Sequence, residues 1–269
     1  MKAKGWADRL VLYISDEPYM DMPEVRAQMK AMCAMIHEVD PAIRIYSSTW
    51  RHCADWDHSL DVWGVGAYGC FPTNEMMRLS REGKGIWFTT DGQQCLDTPF
   101  CAIERLQPVY CWAYGAEKYE FWGCSWLTQD PRRFGWHHFI RQSGKPGETS
   151  WVRYPNGDGY HFYPPSDPGK DPRPVPSLRA MAIRDGVEEY AYLKALERLA
   201  ASSAPASVRM EAERLLTEYR ALVPIPNAGG RYSTKILPSP AHLDDLHRRA
   251  GELLSAYAAD VTIENRRCR

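Results

Sequence analysis

The sequence of 269 residues has no long hydrophobic run, no cluster of basic residues and no CxxC cysteine pair. Because a membrane-spanning helix needs about 20 mostly apolar residues in a row, we expect no membrane segment. The net charge of −1, without a basic patch, gives no reason to expect nucleic acid as a partner. Metal-type cysteine spacing and the phosphate-binding GxxxxGK[ST] motif are also missing, so we expect neither a metal site nor a cofactor.

The first residues of the sequence and its eight cysteines say little more about the class of protein. The first six residues lack the apolar segment of a secretory signal, so we expect none on this chain and leave the compartment open. Cys33 and Cys124 are predicted to be buried free thiols, on a helix and in a strand. Cys95 and Cys101 are spaced to bridge a loop in an oxidising compartment, although sequence does not determine the pairing. The oligomeric state is equally open.

Short apolar strands alternate with helices in the first half of the sequence. This alternation is typical of a parallel sheet with helices outside it. A closed barrel of this class needs eight strands, and only about five are visible, so we predict an open sheet or an incomplete barrel. Asp21 is predicted to cap the first helix. The predicted strands are 10–14, 43–47, 60–68, 86–90 and 119–126, and the predicted helices are 23–39, 74–81 and 103–116.

The second half changes character at about residue 144. Residues 144–176 are rich in glycine, proline and aspartate and are predicted to form an ordered loop with one short strand at 160–163. Three helical stripes of apolar residues then predict three helices. We therefore expect a partial barrel over 1–143, and over 144–269 a loop and helical region that packs on it. The stripes comprise Val187, Tyr190, Leu193, Leu196 and Leu199; Val208, Ala212, Leu215, Tyr219 and Leu222; and Leu243, Leu246, Ala250, Leu253 and Tyr257.

Two adjacent carboxylates, Asp16 and Glu17, follow the first predicted strand, and Pro18 ends that strand's pairing. In barrels of alternating strands and helices, catalytic groups gather at this end of the strands. Hydrolysis of a glycoside needs a proton donor and a group that stabilises developing positive charge, and carboxyl groups can serve for both. The alternative is an acidic pair in a solvated loop that caps the following helix.

Several spaced blocks of the sequence resemble the catalytic domain of glycoside hydrolase family 123 and DUF4091. The first is Gly-Trp at 5–6 followed by LYISDEP at 12–18. The others are GDGYHFYP at 157–164, VPSLR at 175–179 and IRDGVEEY at 183–190. Their order also resembles the family's C-terminal half, and together they cover nearly the whole chain.

The resemblance implies a (β/α)8 barrel of the TIM type, of which this chain holds about strands 4–8, followed by C-terminal helices. It also implies cleavage of glycosides with an N-acetylamino sugar, typically β-linked N-acetylgalactosamine, by substrate-assisted catalysis. Glu17 matches the residue that protonates the leaving oxygen and later activates water. Asp16 matches the residue that orients the acetamido group, so no protein nucleophile is required. In the family the acidic pair lies midway along the barrel, so its first strands are expected to be missing here.

Four further residues at or just after predicted strand ends are candidates for sugar contact: Tyr68, Trp126, Trp50 and Asp91. Tyr68 would hydrogen-bond the acetamido group, the two tryptophans would form a floor for the sugar ring, and Asp91 would hold hydroxyl groups. Ordinary packing or helix capping would explain the same residues.

Two alternatives to substrate-assisted hydrolysis remain open. One is a degenerate or truncated barrel that serves as a non-catalytic carbohydrate-binding or structural module. The other is a hydrolase with two protein carboxylates, in which Asp91 or Asp130 would act as the nucleophile.

Overall fold

The computed structural model describes residues 2–6, 9–49, 51–65, 71–90, 102–121, 123–125, 139–143, 149–153, 159–225 and 239–257. These residues group into two compact units. The first unit contains the first five strands and the first two helices. The second contains the third helix up to Ala113, the remaining strands and the C-terminal helices. The division at residue 143 stays a prediction.

Strands and helices alternate along the first 121 residues, as the apolar pattern predicts, except that β2 and β3 are joined by a single 3-10 turn at Ala54–Trp56. The strands of the chain are β1 (Val11–Asp16), β2 (Arg44–Thr49), β3 (Val62–Val65), β4 (Gly85–Thr90), β5 (Lys118–Phe121), β6 (Phe139–Ser143), β7 (Thr149–Arg153), β8 (Phe162–Tyr163) and β9 (Val175–Pro176). The helices are α1 (Pro23–Val39), α2 (Thr73–Arg81), α3 (Ala102–Tyr114), α4 (Leu178–Ala200), α5 (Ala206–Leu222) and α6 (Pro240–Ala256).

The first five strands form one sheet in the order β1-β2-β3-β4-β5, and every neighbouring pair is parallel. This confirms the α/β class and the parallel sheet. The strands are consecutive in sequence and in space, as in barrels of this class. The correspondence of these five strands to barrel strands 4–8 stays a prediction.

One face of this sheet carries a buried apolar layer. Trp63 of β3 is fully buried, with its ring centroid 6.5 Å from that of Trp56 and 5.7 Å from that of Phe71. Ile45 and Phe88 on the flanking strands are buried as well. These large side chains exclude water from one side of the sheet, which stabilises it by the hydrophobic effect.

The opposite face is concave. Tyr46 of β2 donates a hydrogen bond to Glu120 of β5, although β3 and β4 lie between them. In a flat sheet, three strand spacings would separate β2 from β5 by about 14 Å, further than these side chains can comfortably reach. Gly64 of β3 lies beneath the tyrosine, and a Cβ there would come within 2.5 Å of the Tyr46 hydroxyl. The sheet is therefore curled into a half-barrel.

Two local predictions in the first unit are wrong. Asp21 does not cap α1, because the N-cap is Met22 without a side-chain hydrogen bond, and the Asp21 carboxylate pairs with Arg51 instead. Cys124 is exposed in a bend, because β5 ends at Phe121 instead of continuing to residue 126. The prediction for Cys33 is confirmed, since it is a buried free thiol on α1. Cys95 and Cys101 lie outside the described residues.

In the second unit, the three predicted helical stripes form the core of α4, α5 and α6. Leu193, Leu215 and Leu246 are each fully buried, one on each helix. Val187 and Tyr190 belong to the predicted stripe of α4 but are exposed, because the buried face of that helix turns to Gly186 and Glu189 there. The antiparallel hairpin of β6 and β7 was not predicted.

Among the residues that the structure describes, no helix combines the length and apolar character that crossing a bilayer requires.

Candidate active site

A bulge in β1 sets the direction of the Asp16 side chain. Tyr13 pairs with Tyr46 and Ser15 pairs with Ser47, so Ile14 is an extra residue between two consecutive partners. Side chains alternate between the faces of a regular strand, which would place residues 13 and 16 on opposite sides. The extra residue reverses the alternation, and Asp16 therefore lies on the same concave face as Tyr13. Bulges of this kind re-aim side chains and are frequent beside active sites.

Two hydroxyl groups hold the Asp16 carboxylate. Tyr13 donates a hydrogen bond to Oδ1 over 2.7 Å, and Ser48 of β2 donates to the same oxygen over 2.8 Å. Partial burial and the nearby carboxylates of Asp16 and Glu120 raise the pKa of the Tyr13 hydroxyl, so it remains a proton donor at neutral pH. The carboxylate is thus oriented by neutral donors.

Glu17 has an unusual backbone conformation directly after the strand. Its φ is +44°, a value that residues with a side chain rarely adopt. Its N–H is directed at Ser48, with 3.2 Å to the carbonyl oxygen and 3.2 Å to the side-chain oxygen. Backbone strain of this type persists only where the surroundings impose it, and it clusters at functional sites.

A surface cavity of about 490 Å³ lies over the two carboxylates. Its lining is formed by the segment from Asp16 to Asp21 together with Arg51. Arg51 pairs with Asp21, so the guanidinium neutralises a third carboxylate of the cavity wall. The cavity is large enough for a monosaccharide, and its described walls offer both acidic and flat apolar groups, the latter from Pro18 and Tyr19.

Aromatic rings continue from the acidic pair across the concave face. The ring centroid of Tyr46 lies 5.0 Å from that of Tyr13 and 4.7 Å from that of Trp87. The Trp87 indole donates to Glu117 over 3.2 Å. The sequence analysis did not single out these residues. Alternation along the predicted strands would have placed Tyr46 and Trp87 on one face, had the strand register been known.

The other four candidates for substrate binding, Tyr68, Trp126, Trp50 and Asp91, lie outside the described residues. Asp130, the alternative nucleophile, also lies outside them. Their roles stay predictions. Among the residues that are described, no group of three histidine, cysteine, aspartate or glutamate side chains is arranged to hold a metal ion.

The motif around residues 157–164 meets the start of α4 through a buried arginine. Arg179 donates two hydrogen bonds to the carbonyl oxygen of Tyr160, at 3.0 and 2.7 Å, and one to the Tyr163 hydroxyl at 2.6 Å. Ser177 caps α4 by accepting a hydrogen bond from the Ala180 N–H. The second and third blocks of the sequence are thereby joined, and this arginine has a structural role within its unit.

The motif at 183–190 is also a packing motif. Gly186 allows α4 to approach α3 so closely that a Cβ would collide with the carbonyl oxygen of Arg105. Glu189 is buried and accepts a hydrogen bond from the Tyr219 hydroxyl at 2.6 Å. It also accepts one from Nδ1 of His247 at 2.9 Å when the histidine carries its proton on that nitrogen. Burial raises the pKa of the Glu189 carboxyl, although these partners oppose the shift.

A curled parallel half-barrel with an acidic pair at the carboxyl end of one strand is the arrangement of barrel enzymes, whose reacting groups lie at that end. Comparison with known protein families identifies the family to which the chain belongs. The family model described as the glycoside hydrolase 123 catalytic domain matches residues 1–196, and the chain belongs to this family. No curated protein matches the sequence.

A solved structure supports the fold. It is a family 123 glycoside hydrolase from Clostridium perfringens, studied for the hydrolysis of glycolipid glycans, and it superimposes with a TM-score of 0.58 at 13% sequence identity. The match covers 98% of this chain and 43% of that enzyme, so this chain spans less than half the enzyme's length.

Proposed function

We propose that this chain acts on glycans as a glycosidase that releases terminal N-acetylhexosamine, with β-N-acetylgalactosamine as the preferred sugar. The observation that carries the proposal is the placement of Asp16 and Glu17. A strand bulge and the Ser48 side chain direct both residues to one cavity at the carboxyl end of the half-barrel. Membership of family 123 supports the same class of reaction.

The proposed reaction uses the substrate's own acetamido group as the nucleophile. The acetamido carbonyl oxygen attacks the anomeric carbon while the Glu17 carboxyl donates its proton to the glycosidic oxygen, and the bond to the leaving group breaks. Asp16, as a carboxylate, accepts the acetamido N–H and stabilises the positive charge of the oxazolinium-like intermediate. Glu17 then removes a proton from water, which attacks the anomeric carbon; the bond from that carbon to the acetamido oxygen breaks, and the original configuration is restored.

The geometry around Asp16 suits this role. Tyr13 and Ser48 both donate their hydrogen bonds to Oδ1, and within the described part of the chain none reaches Oδ2. One oxygen is therefore anchored to the protein, and we propose that the other accepts a substrate N–H. A carboxylate fixed in this way stabilises developing charge without having to reorient during the reaction.

A second candidate function, carbohydrate binding without hydrolysis, is favoured by the exposure of the site. Tyr13 is 53% exposed, and the acidic pair is exposed as well. Catalysis of this kind gains from the exclusion of water, so an open site is better suited to binding.

Two aryl glycosides test the proposal. The purified chain should release the aryl group from an aryl β-N-acetylgalactosaminide and not from the matching β-galactoside, which lacks the acetamido group. Equal cleavage of both would contradict substrate assistance and favour a second protein carboxylate. Cleavage of neither, with binding of N-acetylgalactosamine detected by calorimetry, would favour the binding module.

A further inference from the structure

We infer that Ser48 is a positioning residue for both members of the acidic pair. The inference rests on the proposed function, because it assigns Ser48 a role in the same site. Ser48 belongs to the neighbouring strand, 31 or more residues from the pair, and its side chain bonds to Asp16 and to the backbone of Glu17.

The side-chain oxygen of Ser48 makes three polar contacts. It donates to Asp16 Oδ1 over 2.8 Å, receives the Glu17 N–H at 3.2 Å, and lies 3.0 Å from the Tyr13 hydroxyl. A serine hydroxyl has one proton and two lone pairs, so it can serve as donor to the carboxylate and acceptor from the amide at the same time. One hydroxyl group thus links the Asp16 carboxylate to the Glu17 backbone.

The Tyr13 hydroxyl does not make Ser48 redundant. Tyr13 also donates to Asp16, but it has no contact with Glu17 in the described hydrogen bonds and its side chain is half exposed. Ser48 is only 9% exposed and is held in the sheet by pairing on both sides, with Asp16 in β1 and Gly64 in β3. A hydroxyl on a rigid, buried strand orients a catalytic group better than one on an exposed ring.

The Ser48 carbonyl adds a second link to Glu17. Because the Glu17 N–H points at both the carbonyl and the hydroxyl of Ser48, the backbone of Glu17 is held where φ is +44°. The carbonyl remains when the side chain is removed. Replacing the serine should therefore loosen the pair without unfolding the strand end.

Kinetics of Ser48→Ala test the inference. We expect kcat toward an aryl β-N-acetylgalactosaminide to fall roughly 10- to 100-fold, because small displacements of catalytic groups are costly, while KM changes by less than about 3-fold. Ser48→Thr retains the hydroxyl and should recover most of the lost kcat. A Ser48→Ala enzyme with the wild-type kcat would overturn the inference.

Thr49→Val is the matched control. Thr49 is the next residue of β2, is also buried, and donates its hydroxyl to the Gly64 carbonyl at 3.1 Å, away from β1. Its replacement by valine removes one hydroxyl from the same strand and leaves the acidic pair untouched, so kcat should stay near the wild-type value. A loss as large as that of Ser48→Ala would show general damage to the strand and would also overturn the inference.

An NMR measurement on the chain without substrate separates this inference from the proposed function. Ser48→Ala should shift the side-chain carboxyl carbon resonance of Asp16 and the amide resonance of Glu17, whereas Thr49→Val should shift neither. If the wild-type chain cleaves no glycoside, the proposed function fails while these resonances still decide whether Ser48 holds the pair. Unchanged resonances in Ser48→Ala would contradict the inference even in an active enzyme.

Discussion

The Tyr46 hydroxyl of β2 donates a hydrogen bond to the Glu120 carboxylate of β5, across the two strands between them. The tyrosine lies over Gly64, where any larger residue would collide with its ring. Burial, together with the hydrogen bond to Glu120, raises the pKa of the Tyr46 hydroxyl, so the link persists above neutral pH. The contact is possible because the sheet is curled and because Gly64, beneath the ring, has no side chain.

Tyr46→Phe should lower the free energy of unfolding by about 1–3 kcal/mol, because it leaves a half-buried carboxylate without its donor. The measurement is urea denaturation followed by tryptophan fluorescence. A double-mutant cycle with Glu120→Gln isolates the pairwise contribution, and a coupling energy near zero would show that the bond does not stabilise the sheet.

Substitution of alanine for each of two helical glycines in the second unit should change the stability of the protein in opposite directions. Gly186→Ala places a Cβ against the carbonyl of Arg105 and should destabilise by about 1–3 kcal/mol. Gly251→Ala in α6 meets only ordinary contact, with Tyr192 at 3.4 Å, and should stabilise by about 0.5–1 kcal/mol through better helix propensity. Thermal unfolding of both variants tests these two predictions. Equal shifts in Tm would contradict the close approach of α3 and α4.

His161 should make the second unit less stable as the pH falls below neutrality. Burial and the charge of Arg179 lower the pKa of His161 to about 4. In the unfolded chain the pKa of histidine is about 6.5, so between pH 6.5 and 4 the unfolded state binds more protons. The free energy of unfolding should therefore fall over this range, by up to about 3 kcal/mol.

His161→Gln is the variant that checks this dependence, because glutamine does not titrate. Its free energy of unfolding should change less between pH 7 and pH 4.5 than that of the wild type. The same pH slope in both proteins would show that other groups cause the acid sensitivity.

The Glu17→Gln variant should lose more activity with a leaving group that must be protonated than with one that leaves as a stable anion. With a poor leaving group such as a second sugar, kcat should fall about 100- to 10,000-fold, the usual contribution of a general acid. With an activated aryl group that departs as a stable anion, the first step should fall much less. Comparison of kcat/KM for the two substrates gives the answer, and equal losses would remove Glu17 from proton donation.

Asp16→Asn should weaken the dependence on the acetamido group. Asparagine is close in size but cannot stabilise positive charge, so activity toward the aryl β-N-acetylgalactosaminide should fall by about 100-fold or more. Binding of N-acetylgalactosamine should be less affected, because an amide oxygen still accepts the acetamido N–H. Full activity of this variant would exclude Asp16 from the mechanism.

Local sequence signals predicted the elements of the fold well. The bounds of α1 agree with the structure at both ends, because Pro23 suits a first helical turn and Pro41 prevents its continuation. The five parallel strands follow from five short apolar segments, most of them separated by helices. Asp21 was wrongly predicted to be a cap, since its partner Arg51 is 30 residues away and no local pattern shows such a pair.

The candidate site was predictable in part. Asp16 and Glu17 stand out because a carboxylate pair follows a strand and precedes a proline. Ser48 does not stand out, because its role depends on which residue of β2 lies opposite Asp16, and that depends on the bulge at Ile14. A shift of one residue in register would turn Asp16 to the other face.

The sequence by itself determined the alternation of strands and helices, the acidic pair at the end of the first strand, and the blocks shared with family 123. These features depend on residues that are neighbours in the chain, where periodicity and turn chemistry act directly. Only the tertiary structure decided that Asp16 lies on the concave face and that Ser48 joins it to Glu17. Register, curvature and burial arise from contacts between distant segments, and hydrogen-bond partners are chosen by that packing.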